Sequence, residues 1–175
     1  MKKLSRIALV LVVIFAAGCK KSTNDPTGGG TGGAATVTAS VYGFDGGNSG
    51  KFSSTKAGMT QTTLAGITTF SISAIKDGSN ESITIILFKK AAVGKTTIGS
   101  AVDNGGIVLS KDYTKPADLS LKYSTDNNGK MQGGGEVNIT KVDGNNVEGT
   151  FYAVAYNSSG KEAFAEQGSF KGTIK

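Results

Sequence analysis

The chain has no histidine and no tryptophan, and it has a single cysteine, Cys19, and a single arginine, Arg6. Histidine is the side chain that titrates near neutral pH, so its absence excludes a Ser-His-Asp triad, a Cys-His pair and the common zinc sites. One cysteine also excludes a disulfide framework. Any catalysis would depend on carboxylates, lysines or tyrosines. We predict a non-enzymatic protein with no catalytic, cofactor-binding or metal-binding residue.

The shortage of arginine and the modest net charge argue against a nucleic-acid partner. Of the 19 basic residues, Lys2, Lys3 and Arg6 precede the first apolar run, which leaves 16 lysines against 13 acidic residues, a net charge of +3, in the rest of the chain. That part lacks the planar guanidinium fork that suits phosphate and guanine, and its lysines are scattered. We therefore expect no nucleic-acid partner.

The N-terminus has the pattern of a secretory signal. A positive start is followed by the uninterrupted apolar run Ile7 to Ala17 and by the small residues that precede cleavage sites. The run is about half of the roughly 20 residues that cross a bilayer, so a permanent transmembrane helix is the weaker interpretation.

The residues that follow, Ala16-Ala17-Gly18-Cys19, resemble the lipobox of bacterial lipoproteins. In that family a peptidase cuts before the cysteine, whose sulfur and new amine are acylated. The resemblance implies a signal peptide over residues 1–18 and a lipid attachment site at Cys19. The protein would be held on a membrane of the cell envelope through its N-terminal lipid. Lys20 and Lys21 favour the outer membrane, where the domain could lie on the periplasmic or on the surface side. The alternative is ordinary secretion with cleavage after Gly18.

Two further regions follow the signal. Residues 19–35 are polar and then glycine-rich, so they predict a flexible tether that cannot bury enough apolar surface to fold. Residues 36–175 have the size of a single domain.

In that domain, runs of Thr, Val, Ile, Phe and Tyr alternate with Gly, Asn and Asp clusters, as in consecutive strands joined by turns. The pattern predicts an all-β, meander-rich fold, either an antiparallel β-sandwich or a flattened barrel of about eight to ten strands. Ile83 to Phe88 is apolar at both parities and is the expected central strand. Separate short strands are predicted at 51–56 and 59–64.

The clearest hairpin joins 136–142 to 147–154. Placing Ile139 opposite Phe151 and Val137 opposite Ala153 collects the apolar side chains on one face. This register requires a loop with an odd number of residues, built from a type I turn and a bulge.

The same region carries a second resemblance. An Ile-Thr-x-x-Asp strand at Ile139, a Gly-Thr-Phe strand at Gly149 and a closing Gly-x-Phe strand at Gly168 resemble the C-terminus of a family of small uncharacterised lipoproteins of Bacteroidota-type bacteria. The resemblance covers residues 133–174 and implies an all-β exported domain. It implies no activity, so no functional residue is carried over.

Four tyrosines are the candidate binding residues, because an aromatic ring with a polar tip stacks on sugars or fills interfaces. Tyrosine in a strand is also a common half-buried cover over the core. The four are Tyr113, Tyr123, Tyr152 and Tyr156.

Several Asp/Asn clusters invite a comparison with calcium loops. We interpret them as turns, because none has the Asp-x-Asp-x-Asp-Gly spacing with a distal Glu, and calcium binding is the alternative. The clusters lie at 45–48, 77–80, 103–105, 126–129 and 143–146.

Three functions remain open at this point. The leading hypothesis is a lipid-anchored envelope protein that presents a non-enzymatic β domain to a protein or glycan partner. The second is a lipocalin-like carrier, with small interior residues leaving room for a hydrophobic ligand. The third, a carboxylate-based hydrolase, needs two acids at roughly 5 to 9.5 Å, whereas Glu136 and Glu148 are expected about 20 Å apart. The small residues are Ala39, Ala74, Ala153 and Ala155.

Overall fold

The computed structural model describes residues 35–47, 49–99, 102–126 and 131–175, so the predicted signal, Cys19 and the tether up to position 34 lie outside it. No helix in the part it describes has the length and apolar character needed to cross a membrane. The elements are β1 (Ala35–Phe44), β2 (Gly50–Leu64), β3 (Ile67–Ile75), β4 (Ser82–Leu87), β5 (Gly94–Gly99), β6 (Gly105–Ser110), a 3-10 turn (Leu119–Leu121), β7 (Lys122–Ser124), β8 (Gly134–Asp143), β9 (Asn146–Tyr156) and β10 (Glu162–Thr173).

The strands form a closed antiparallel barrel with two additional strands. Eight strands follow one another in the order β1-β2-β3-β4-β6-β7-β9-β10, and β10 closes the ring because it pairs with both β9 and β1. β8 pairs with β9, and β5 pairs with β8. The predicted all-β antiparallel fold is confirmed, and of the two predicted architectures the barrel is the one formed.

Alternating burial along the strands fills the barrel with side chains. In β6, for example, Ile107 and Leu109 are buried while Gly106, Val108 and Ser110 are partly exposed. Each fully buried aliphatic or aromatic side chain contributes roughly 1.5–3 kcal/mol. The largest such side chains are Phe52, Met59, Phe70, Ile72, Ile83, Ile85, Leu87, Ile98, Ile107, Leu109, Tyr123 and Ile139.

The expected central strand is confirmed, with one correction at its end. β4 lies between β3 and β6 and pairs with both over its whole length. Ile83, Ile85 and Leu87 point into the core. Phe88, however, falls just beyond the strand and is 50% exposed.

The two strands predicted at 51–56 and 59–64 are one continuous strand, β2. Its first half pairs with β1, ending at the Ala35–Ala57 pair, and its second half pairs with β3 from Gly58 onward. A strand that passes from one partner to the next needs no break, so the sequence prediction was wrong at Ala57-Gly58.

The hairpin register was also wrong, by two residues. The structure pairs Val137 with Phe151 and Ile139 with Gly149. The loop has two residues, with Gly144 at φ 57 in its first position, and the extra residue sits within β8 as a bulge at Thr140. A shift of two keeps the side chains of 136–139 on their predicted faces, which is why burial alone did not reveal the error.

Antiparallel pairing fixes which connections share an end of the barrel. The end at which β1 begins, here called the tether end, also holds the β2–β3 turn, residues 88–93, the β8–β9 turn and the C-terminus. The opposite end, the loop end, holds the connections at 45–49, 76–81, 111–121 and 157–161.

Candidate functional site

An ionic clasp closes part of the loop end. Asp45 follows β1 with φ 59, a left-handed conformation that Asp tolerates better than most residues. One carboxylate oxygen, Oδ1, accepts a hydrogen bond from the Tyr123 hydroxyl at 2.6 Å, and the other forms an ion pair with Lys111. The Lys111 ammonium also lies 5.6 Å from the centroid of the Phe44 ring and 5.9 Å from that of Tyr123.

The clasp shifts the pKa values of Asp45 and Tyr123 in opposite directions. Burial raises the pKa of Asp45, but the hydrogen bonds from Lys111 and Tyr123, with the charges of Lys111 and Lys161, outweigh it and leave the pKa below its ordinary value. Burial, and then the bond to Asp45, raise the pKa of Tyr123. A carboxylate that stays charged and a phenol that stays neutral do not exchange a proton near neutral pH. We therefore interpret the clasp as structural: its hydrogen bond and ion pair connect the end of β1 to β7 and to the end of β6.

The variant Asp45→Asn is expected to lower the free energy of unfolding by about 1 kcal/mol at pH 7, because the bonds it removes are charge-assisted but partly solvated. Since the folded pKa of Asp45 lies below its unfolded value, this stabilisation is present above the unfolded pKa and disappears as pH falls through the folded pKa. Urea titrations of both proteins at pH 7 and at pH 3 measure it. An equal difference at both pH values would contradict the assignment.

A second ion pair, 2.5 Å between Lys76 and Glu81, covers Tyr42 from the β3–β4 connection. The Lys76 ammonium lies 5.4 Å from the centroid of the Tyr42 ring. Tyr42 is 2% exposed, and neither its hydroxyl nor that of Ser54 has a hydrogen-bond partner among the described residues. Burial and the Glu81 charge raise the pKa of Tyr42. Sequence reasoning missed Tyr42, because a register shift after Ala39 turns its side chain inward.

The four predicted tyrosines lie in different environments. Tyr123 is buried in the clasp, and the Tyr156 hydroxyl donates to Glu162 at 3.0 Å. Tyr113 is half-buried in the 111–121 connection. Tyr152, on the outer face of β9, is 50% exposed and presents its ring to solvent. Of the four, Tyr152 is therefore the one placed to bind.

Tyr152 lies in a groove of about 410 Å³, here called the Tyr152 groove, on the outer wall of β8, β9 and β10. A bulge in β10 shapes it: Gln167 has φ 50, and Gly168 packs so closely on the Phe151 ring that a Cβ there would lie 2.5 Å from the ring. The lining residues are Glu136, Thr150, Phe151, Tyr152, Gln167, Gly168 and Ser169.

Cross-strand pairing arranges the polar lining around the ring. Glu136 lies directly opposite Tyr152, and its carboxylate is 3.2 Å from the Lys95 ammonium. Thr150 lies opposite Ser169, whose hydroxyl shares a 2.8 Å hydrogen bond with Thr38. The groove thus combines one exposed aromatic face with hydroxyl, amide and carboxylate groups, which suits a small ligand with an apolar face and a polar rim.

The carboxylates do not form a hydrolytic pair in this region. Glu148 is four residues from Tyr152 on β9, which places it about 13 Å from Glu136 along the ladder rather than the expected 20 Å. Glu148 is 3.2 Å from the Lys171 ammonium. These two carboxylates are held in surface ion pairs rather than facing each other.

Three other Asp carboxylates at the loop end accept hydrogen bonds from backbone and hydroxyl groups of the protein. Asp77 accepts hydrogen bonds from the backbone N–H and the hydroxyl of Thr55, both at 3.2 Å. Asp112 and Asp118 accept from the residues two positions later in the same way. Within the described ranges, no three Cys, His, Asp or Glu side chains are grouped as metal ligands would be.

Comparison of the chain with protein-family models, with curated proteins and with solved structures gave no match. The site is therefore interpreted from its own geometry.

Proposed function

We propose that this protein is a lipid-anchored, non-enzymatic binding protein of the cell envelope, and that the Tyr152 groove binds a neutral glycan. The lipobox-like residues before Cys19 and the similarity of residues 133–174 to small exported lipoproteins support the location. The half-exposed ring of Tyr152, within a groove of polar side chains, is the observation that carries the binding function.

The dimensions of the groove favour a sugar over a protein. A stable protein interface buries about 800 Å² on each partner, whereas a cleft of roughly 300–1,000 Å³ is the size of a small-ligand site. The groove, at about 410 Å³, falls at the lower end of that range. The apolar face of a pyranose can stack on the ring while its hydroxyls bond to Thr150, Gln167 and Ser169.

The charge of the groove favours a neutral ligand. Its one carboxylate, Glu136, is already 3.2 Å from Lys95, so neither sign of charge is in excess. The carboxylate oxygens of Glu136 can accept a hydrogen bond from a sugar hydroxyl.

The variant Tyr152→Ala is expected to weaken oligosaccharide binding by tenfold to a hundredfold, about 1.4–2.7 kcal/mol, because the ring supplies the stacking surface. Its thermal midpoint should change little, since the side chain is half exposed. Isothermal titration with gluco-, xylo-, manno- and malto-oligosaccharides measures the affinity.

Tyr113→Ala is the matched control, because Tyr113 lies in the 111–121 connection, away from the groove lining. It should bind as the wild type does. A wild-type protein that binds no oligosaccharide of the panel, or equal binding by Tyr152→Ala, would contradict the proposed ligand.

Because the barrel is closed, a lipocalin-like carrier is the second candidate function. The four small residues expected inside, Ala39, Ala74, Ala153 and Ala155, are all buried. They pack in the same core as the large side chains that fill the barrel, such as Phe52 and Phe70. A hydrophobic ligand would have to displace such side chains. Saturable one-to-one binding of the fluorescent fatty acid cis-parinaric acid would favour the carrier over the glycan-binding protein.

A further inference from the structure

Four large apolar side chains are exposed at the tether end of the barrel. Leu64 and Ile67 flank the β2–β3 turn and are 71% and 63% exposed, and Phe88 and Val93 are 50% and 66% exposed in the segment that follows β4. We call these four residues the apolar rim. Grouped exposed apolar side chains are typical of surfaces that contact a partner or a membrane.

The two segments of the rim are adjacent. The β3–β4 register pairs Phe70 with Leu87, which places Phe88 next to the start of β3. The backbone N–H of Ala91 donates to the Gln61 side chain of β2 at 2.9 Å and fastens the second segment against the first.

The tight β2–β3 turn places the two apolar residues of this hairpin side by side. Leu64 pairs with Ile67, and the turn between them has Ala65 at φ 51 and Gly66 at φ 83. Two residues with positive φ form the tight turn whose twist matches that of the flanking strands. Leu64 and Ile67 therefore lie together at the tip of a regular β-ribbon.

Positive charge accompanies the rim. Lys89 and Lys90 lie between Phe88 and Val93, both are exposed, and neither forms an ion pair with another described residue. Asp103 precedes Asn104, whose carbonyl accepts a hydrogen bond from the Phe88 backbone N–H at 3.0 Å, so two lysines and one acid lie beside Phe88. Lysines next to an anionic membrane surface are attracted to it electrostatically.

The N-terminal segment enters at the same end. β1 starts at Ala35, and residues 19–34 lead back to Cys19. If residues 19–34 form the tether that the sequence predicts, they would span on average roughly 20–24 Å. A lipid on Cys19 would hold the rim within reach of the bilayer.

We propose that the apolar rim inserts into the interface of the membrane, with Lys89 and Lys90 on the lipid phosphates. The loop end then faces away from the membrane, and the Tyr152 groove lies on the side wall. The lipid anchor in this arrangement rests on the proposed function, whereas the docking of the rim rests on its own exposure, charge and position. Apolar side chains at such an interface reach about 5–10 Å below the headgroups.

The absence of tryptophan permits a direct test with single-indole variants. Ile67→Trp places the reporter in the rim, and Leu119→Trp places it at the loop end, where Leu119 is 59% exposed. The chain from Cys19 onward contains every strand of the barrel, and its one sulfur can be coupled to a maleimide lipid. The probe is a vesicle of phosphatidylglycerol and phosphatidylcholine with brominated acyl chains.

We expect the indole from Ile67→Trp to shift to shorter wavelength and to lose roughly half its emission to the bromines, because it lies within their depth. The indole from Leu119→Trp should do neither. Adding Phe88→Ser and Lys89→Glu to Ile67→Trp should restore most of the emission.

Each other result overturns the docking. Equal quenching of both reporters would mean that the rim is not the preferred docking surface. Quenching of neither would mean that the rim does not face the lipid. A wavelength shift at position 67 without quenching would indicate contact between protein copies instead. Because the sulfur is coupled chemically, the test does not depend on acylation in the cell. A native protein without acyl mass would refute the anchor and leave the docking result standing.

Discussion

Gly105→Ala is expected to lower the free energy of unfolding by about 3 kcal/mol or more, a large fraction of the roughly 5–15 kcal/mol that stabilises a typical domain. Gly105 has φ +122, which side chains rarely adopt. A Cβ at this position would also lie 2.0 Å from the carbonyl oxygen of Ile86, a backbone atom of the paired strand β4. Relief of that clash requires β4 and β6 to separate where Gly105 pairs with Leu87.

Gly78→Ala separates the two causes. Gly78 also has positive φ, +75, but a Cβ added there would meet no atom within 4 Å, so only backbone strain of about 1–2 kcal/mol is expected. Urea denaturation followed by circular dichroism measures both variants. Equal losses of unfolding free energy in the two variants would mean that the steric clash between β6 and β4 does not contribute to the effect of Gly105→Ala.

Cys19→Ala is expected to abolish incorporation of a fatty-acid label into the protein. In the proposed lipid anchor, the sulfur and the amine of this residue are the acylation sites, and the sequence has no other cysteine to replace it. Several acyl chains exceed the two signals that stable membrane attachment requires, so the loss should also remove stable anchoring by lipid. Labelled fatty acid supplied to growing cells, followed by isolation of the protein, measures the effect.

The matched control moves the thiol by three positions, in the double variant Cys19→Ala with Ser22→Cys. The chain then keeps one cysteine outside the Ala-Ala-Gly context. This variant should also remain unlabelled. Label retained by either variant would show that acylation does not depend on the proposed site.

Local pattern predicted the strands better than it predicted their partners. Alternation and turn residues identified the all-β class and the central strand at Ile83. They did not distinguish sandwich from barrel, because closure depends on the pairing of β1 with β10, which joins residues such as Ala35 and Gly172. No local pattern encodes a contact across most of the chain.

Bulges account for two of the errors. The extra residue at Thr140 lies inside β8, where a hairpin prediction places it in the loop, so the predicted register slipped by two. The shift between Ala39 and Tyr42 inverts the facing of β1, so Tyr42 is buried although regular alternation from Val37 and Ala39 would place it outside. Both bulges leave the local composition unchanged, and only the three-dimensional pairing reveals them.

The candidate site was predictable in part. Tyr152 was one of four tyrosines chosen for an amphipathic ring, but its exposure follows from the barrel wall and not from its neighbours in sequence. Asp45 was interpreted as a turn residue, which is correct, yet its partners Lys111 and Tyr123 are 66 and 78 positions away. The groove itself requires the bulge at Gln167, for which the sequence shows no signal.

The anchor and the location of the binding site are tested together by the intact mass of the protein recovered from its own membranes, with analysis of any small molecule released on denaturation. We expect the mass of residues 19–175 plus acyl chains on Cys19, and no hydrophobic molecule released in stoichiometric amount. The unmodified mass of residues 19–175 would contradict the anchor. A lipid-like molecule released one-to-one would contradict the binding function on the outer wall and transfer it to the barrel interior.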